Sequence, residues 1–193
     1  MLQPNPETRE PNRSNDYASL LGSLQYLAVA TRPDIAYAVN RLAAFTANPS
    51  LEHYTAVKRV IRYVKGTKQY GITYRKNSPR HIGPEDSNLF YGFSDAAFAN
   101  AEDKRSISRH VFLSNGGAIT WGLKKQSTIA LSSTEAEYVA LSEASREAMW
   151  LRHIYGELGF IQKEPILLLG DNDGSIAMAK NPQFHKRTKH VDI

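Results

Sequence analysis

The chain reads as a mixed α/β domain built on an antiparallel hairpin, with later parallel strands and a helical segment ahead of it. Three observations lead there. Residues 16–67 place apolar side chains at helical spacing in three runs. From residue 89 the pattern changes to alternation in three short runs. A long helical period, a short apolar run and a short helix then follow, and strand, strand, strand, helix, strand, helix is the order of a mixed α/β domain.

Residues 1–15 are polar and rich in Pro and Asn, and predict a disordered lead-in. The first helix carries Leu20, Leu21, Leu24, Tyr26 and Leu27. The second follows Pro33, with Ile35, Val39, Leu42 and Ala43 on one stripe. Thr31 or Arg32 would sit at its cap, and proline suits its first turn. The third follows Pro49, carries Tyr54, Val57, Val60, Ile61 and Val64, and ends at Gly66. A short strand from Gly71 to Tyr74 closes this helical segment, 16–75. Residues 76–88 hold Pro79, Gly83 and Pro84 and predict a linker.

The second domain covers residues 89–193. Its first strand alternates Leu89, Tyr91, Phe93 and Asp95 with Phe90, Gly92 and Ser94. Ser108 to Ser114 and Ala118 to Trp121 are the second and third strands, joined by a turn at Asn115-Gly116-Gly117. A long helix runs from about Ser133 to Leu158, and Gly159 stops it. Ile166 to Leu169 is a buried strand, and Ser175 to Lys180 a short helix.

Composition bounds the function. At 193 residues the chain fits one domain, or one domain with an appended segment. It has no cysteine, which excludes disulfides and thiolate zinc sites. The net charge of +5 suits a polyanionic partner without proving one. The N-terminus has no apolar core of a signal peptide. The longest apolar stretch, Tyr17 to Ala30, is interrupted by Ser and Gln and too short to span a bilayer. An intracellular protein with no membrane partner is expected.

Three carboxylates are placed for chemistry. Asp95 ends the first strand in phase with Leu89, Tyr91 and Phe93, so it projects from the face they bury; a turn-forming Asp is the plainer reading. Glu137 starts the helical stripe Leu141, Ala144, Ala148, Leu151, Tyr155 and Leu158. A first-turn Glu favoured by the helix dipole is the alternative. Its neighbour Glu135 has a structural job, because Ser132 and Glu135 fit a capping box in which the Glu reaches back to the N-cap amide. Asp171 ends Pro165-Ile-Leu-Leu-Leu-Gly170 and precedes a helix, where Asp is a common cap. Asp173 lies nearer the helix start and could cap instead, freeing Asp171. Two strand-end aspartates facing a helix glutamate make an oxygen-rich pocket, which suits Mg²⁺ or Mn²⁺. A pair of such ions can hydrolyse a phosphodiester.

These residues lie in segments that resemble a known family. Phe93-Ser-Asp-Ala-Ala-Phe-Ala99, Lys104-Arg-Ser-Ile-Ser108, Gly117-Ala-Ile-Thr-Trp121, KKQSTIALSSTEAEYVAL from Lys124 to Leu141, Asp171-Asn172 and Arg187-Thr-Lys-His-Val-Asp192 resemble the RNase H domain of copia-type LTR-retrotransposon Pol polyproteins. Leu21-Gly-Ser-Leu-Gln-Tyr26, Thr31-Arg-Pro-Asp-Ile35 and Lys58 to Tyr74 resemble the connection segment between polymerase and RNase H in the same family. The resemblance implies an RNase H-like mixed five-stranded sheet flanked by helices, C-terminally truncated one residue after Asp192. It implies hydrolysis of the RNA strand of RNA–DNA hybrids with two Mg²⁺ ions, Mn²⁺ being an alternative. Asp95, Glu137, Asp171 and Asp192 would be the catalytic, metal-binding acids.

It also implies as partners an RNA–DNA hybrid or template–primer duplex and the remainder of the polyprotein, in cytoplasm, nucleus or a virus-like particle. Lys124, Lys125, His185, Arg187 and Lys189 are candidates for nucleic-acid contact, with a solvated surface the plainer reading; His185 is also the candidate for helping product leave. Lys58, Arg59, Arg62, Lys65 and Lys68 form a basic helix face. The sequence departs from the family at Phe98, usually Trp; at Arg109-His110, usually Gly-Tyr; at Gly170, usually Cys; and at Asp173, usually Gln. No Tyr-x-Asp-Asp motif occurs, so DNA polymerisation is not expected. The competing readings are an inactive nucleic-acid-binding remnant of the same polyprotein and, against the KKQ…SSTEAEY stretch, an integrase or transposase core.

Overall fold

The computed structural model describes residues 11–76, 89–101 and 103–181. Asp192, His185, Arg187, Lys189 and nearly all of the expected linker lie outside them. Contacts divide the chain into two compact units, Met1–Ile72 and Thr73–Ile193. Among the described residues no helix is long and apolar enough to cross a membrane.

The first unit is three helices: α1 (Pro11–Ala30), α2 (Pro33–Ala43) and α3 (Leu51–Gly66). The helix α1 starts at Pro11, so residues 11–15, expected in the disordered lead-in, are helical. Proline fits a first turn because its missing amide is unsatisfied there anyway. Tyr17, Leu21, Leu24, Ala28, Ile35, Val39, Leu42 and Val57 form the core. The hydroxyl of Tyr17 donates to the Leu42 carbonyl at 2.8 Å, and burial pushes its pKa up to about 12. Ser50 caps α3 reciprocally with His53, whose ring stacks on Phe45. Residues 71–74, expected as a strand, pair with no ladder. Tyr74 and Arg75 bond instead to the Ala118 and Asn115 carbonyls, which assigns them to the second unit.

The second unit contains β1 (Tyr91–Ala97), β2 (Ile107–Ser114), β3 (Gly117–Lys125), α4 (Ser133–Glu157), β4 (Leu168–Leu169) and α5 (Asp173–Lys180). They form a mixed sheet in the order β3-β2-β1-β4. The first three strands are antiparallel, and β4 runs parallel to β1. Four strands are present among the described residues, where five were expected. The turn between β2 and β3 is two residues, Asn115 at φ 51° and Gly116 at φ 80°. Both lie in the left-handed region, the pattern of a tight hairpin turn whose twist matches its strands.

The helix α4 covers one face of the sheet. Phe90 and Phe112, fully buried, pack with Ala148 and Leu151. Because strand side chains alternate, Phe90, Gly92 and Ser94 share the deep face. Tyr91 and Phe93 lie on the other, half-buried, face. The expected order of the two faces is therefore reversed: Asp95 belongs to the shallower one. The deep side is the one α4 occupies, and alternation alone does not say which side that is.

Candidate metal centre

Asp95, Glu137 and Asp171 converge: one carboxylate oxygen from each lies within 4.8 Å of the others. Register produces the first contact. β1 and β4 pair in parallel at Phe93↔Leu169. Two residues further along each chain stand Asp95 and Asp171, so the parallel pairing carries both aspartates to the same end of the sheet.

The helix α4 brings the third acid. Ser132 caps it, its hydroxyl accepting the Glu135 amide at 3.2 Å. Glu135 reaches back to the Leu131 amide at 2.8 Å, one residue before the N-cap amide expected for it. That still ties Glu135 down locally and leaves Glu137 to face the sheet. Glu137 is 8% exposed and begins a buried stripe continuing through Ala140, Ala144, Ala148 and Leu151. Leu158, expected on that stripe, is exposed, because the helix ends at Glu157 and Leu158 is its C-cap. Gly159 follows at φ 85°, as expected of a stop glycine.

Burial pushes the Glu137 carboxyl above its ordinary range. The charges of Asp95 and Asp171 act in the same direction. A backbone hydrogen bond from Ala96 and the charge of Arg109 oppose them. A buried carboxylate crowded by two others is a group that a cation would relieve.

Asp171 is exposed and outside any cap, since Asn172 caps α5 by accepting the Ser175 amide at 2.9 Å. The expectation that Asp173 would cap is thus corrected. Asp173 is the first residue inside the helix, too late to satisfy the amides of its own first turn.

Sequence reasoning missed two residues at this centre. Arg109 pairs with Asp95 across β1 and β2, with Nε 3.1 Å from Oδ2. Gln126 is buried and donates to Ser108 Oγ at 3.0 Å and to the Ala136 carbonyl at 2.9 Å. It ties the end of β3 to the helix turn that carries Glu137, so it is no surface contact for a ligand. Of the nucleic-acid candidates, Lys124 pairs with Glu143 at 3.0 Å and Lys125 with Asp103 at 2.7 Å, both lysines staying half-exposed or more. Lys58, Arg59, Arg62, Lys65 and Lys68 are exposed, as expected of a basic face.

The donor set is three carboxylates with no His or Cys, which fits a hard divalent cation such as Mg²⁺ or Mn²⁺. No protein-family profile matches the chain. No solved structure matches it either. Curated sequences do. A Pol polyprotein, "Retrovirus-related Pol polyprotein from transposon TNT 1-94" of Nicotiana tabacum, is 39% identical over 178 residues, 92% of this chain and 13% of that protein. "Retrovirus-related Pol polyprotein from transposon RE1" of Arabidopsis thaliana is 38% identical over 92% of this chain and 12% of its own length. "Secreted RxLR effector protein 161" of Plasmopara viticola is 45% identical over 136 residues, 70% of this chain and 90% of that protein. The chain thus spans a small part of the Pol polyproteins it matches; its homologues include these retrovirus-related Pol polyproteins of transposons, and it belongs to one family with the effector protein, of which it covers 90%.

Proposed function

We propose that the second unit is the RNase H domain of a copia-type retrotransposon reverse transcriptase, and that the first is its connection segment. The proposed reaction is hydrolysis of the RNA strand of an RNA–DNA hybrid, leaving a 3′-hydroxyl and a 5′-phosphate. The observation that carries this reading is the convergence of Asp95, Glu137 and Asp171 from two strand ends and one helix face. The similarity to Pol polyproteins over 92% of the chain supports it independently.

Asp95, Glu137 and Asp171 would hold the metal, and Asp192 is the fourth acid that the resemblance supplies. When bound, a pair of Mg²⁺ ions supplies a nucleophile at neutral pH and neutralises charge on the phosphodiester. The residues themselves do the positioning. The β1–β4 register fixes the two aspartates, and the buried face of α4 holds Glu137 in one place beside them. A hybrid would be chosen through duplex shape and 2′-hydroxyl contacts rather than base edges.

The ion pair between Arg109 and Asp95 favours a second reading, an inactive nucleic-acid-binding remnant of the same polyprotein. One experiment separates them. The full chain, beside an Asp95→Asn variant, is incubated with a labelled RNA–DNA hybrid and Mg²⁺. Cleavage by the natural chain and not by the variant is expected. Hybrid binding without cleavage by either protein would establish the remnant, and equal cleavage by both would remove Asp95 from the site.

A further inference from the structure

Asp95 stands between opposite charges. On its β4 side are Asp171 and, from α4, Glu137, all with an oxygen within 4.8 Å of one another. On its β2 side is Arg109, its antiparallel partner, at 3.1 Å. Three carboxylates that close repel one another and need positive charge nearby. The fold supplies one such charge itself, and the charge of Arg109 reaches Glu137 as well as Asp95.

The pair is open enough to exchange. The Arg109 side chain is 36% exposed and that of Asp95 48%, while the Nε atom facing Asp95 is itself buried and held there by charge rather than by a hydrogen bond. Ion pairs with that much water around them are weak and screened by salt. A divalent ion brings twice the charge to the same oxygens, so it would win the competition while losing affinity to it. We propose that Arg109 is a resident counter-cation that competes with the divalent metal for Asp95, so that loading the carboxylate trio requires displacement of its guanidinium. The inference rests on the reading of Asp95, Glu137 and Asp171 as a metal centre.

The test is Mn²⁺ binding by calorimetric titration of the full chain, which needs no turnover. Arg109→Gln removes the charge and keeps a polar, though shorter, side chain; Arg109→Met is a second neutral, strand-compatible variant in case the first misfolds. Arg109→Lys keeps a charge, and Asp95→Asn removes the contested ligand. Both neutral variants should bind Mn²⁺ about five- to tenfold more tightly than the natural chain. Arg109→Lys should stay within about twofold of it, and Asp95→Asn should lose binding. The melting temperature gives a second readout: the neutral variants should gain more on adding Mn²⁺ than the natural chain does, since they lack the built-in cation. Unchanged or weaker affinity in the neutral variants, with binding still lost in Asp95→Asn, would overturn the role of Arg109 and leave the metal centre standing. Absence of Mn²⁺ binding in every protein, the neutral variants included, would remove the metal centre and this inference together.

Discussion

The side chain of Asn172 accepts the amide of Ser175 at 2.9 Å, and the hydroxyl of Ser175 donates back to the Asn172 carbonyl at 2.8 Å. This reciprocal cap starts α5 two residues after Asp171 and keeps Asp171 out of the helix. Replacing Asn172 with Ala removes the acceptor and should cost about 1 kcal/mol in chemical denaturation. Asp173→Asn should cost less, because Asp173 is not the capping residue. An equal loss in the two variants would show that both side chains serve the helix start.

Gln126 offers a sharper test of how Glu137 is held. Its buried amide reaches both Ser108 on β2 and the Ala136 carbonyl on α4. Gln126→Leu keeps the volume and removes both bonds, leaving the Ser108 hydroxyl buried without this donor. The expected loss is about 1–3 kcal/mol in unfolding free energy. Amide hydrogen exchange should rise in the first two turns of α4 more than in its last two. A uniform rise along the helix would mean that Gln126 supports the domain generally rather than the turn that carries Glu137.

Much of the site was legible in the sequence, for local reasons. The capping pair Ser132–Glu135 and the four-three spacing after Glu137 are set by helix geometry, and both point Glu137 at the sheet. The turn signal Asn115-Gly116-Gly117 likewise announces the β2–β3 hairpin, although Gly117 already belongs to β3. The contacts of Asp95 were not legible. Its pairing with Arg109 depends on the β1–β2 register, and the number of residues joining those strands, 98 to 106, fixes no register. Its approach to Asp171 depends on a parallel pairing between strands far apart in sequence. The buried role of Gln126 was not legible for a related reason. It follows two exposed lysines and looks like surface, but its bonds to Ser108 on β2 and to the Ala136 carbonyl on α4, both distant in sequence, put it inside.

Gly92 tests the packing beneath the site. A Cβ at this position would lie 2.6 Å from Cδ1 of Phe112, and that ring is fully buried against α4. The neighbour is the body of a packed ring rather than the end of a flexible chain, so it has little room to yield. Gly92→Ala should destabilise the second unit by about 1–3 kcal/mol. Gly92→Ala combined with Phe112→Leu should recover part of that loss, since the smaller side chain vacates the ring edge. Denaturation of the single and double variants measures the coupling, and additive losses would show that the two positions do not meet.

The first unit should carry its own acid sensitivity, through Arg32 and Asp34. Arg32 is 6% exposed, and its Nε and Nη2 donate to the two oxygens of Asp34 at 2.9 and 2.7 Å. Its Nη2 and Nη1 also reach Thr67 Oγ1 and the Thr67 carbonyl at 2.7 and 3.2 Å, just past the end of α3. Tyr63 donates its hydroxyl to Asp34 at 2.9 Å. The network thus clips the start of α2 to the end of α3. The Arg32 hydrogen bond, with help from Tyr63, holds the Asp34 carboxyl below its usual range. A carboxyl whose folded pKa is depressed stabilises the fold above its unfolded pKa of about 3.9. That stabilisation is lost as pH falls through the lower, folded value. Amide exchange in α2 and α3 should therefore quicken below about pH 4, and Asp34→Asn should flatten that part of the profile. Arg32→Ala should cost about 1–3 kcal/mol near neutral pH, less than a fully buried pair, because Asp34 is 34% exposed. An unchanged acid profile in Asp34→Asn would place the sensitivity of these helices in another group.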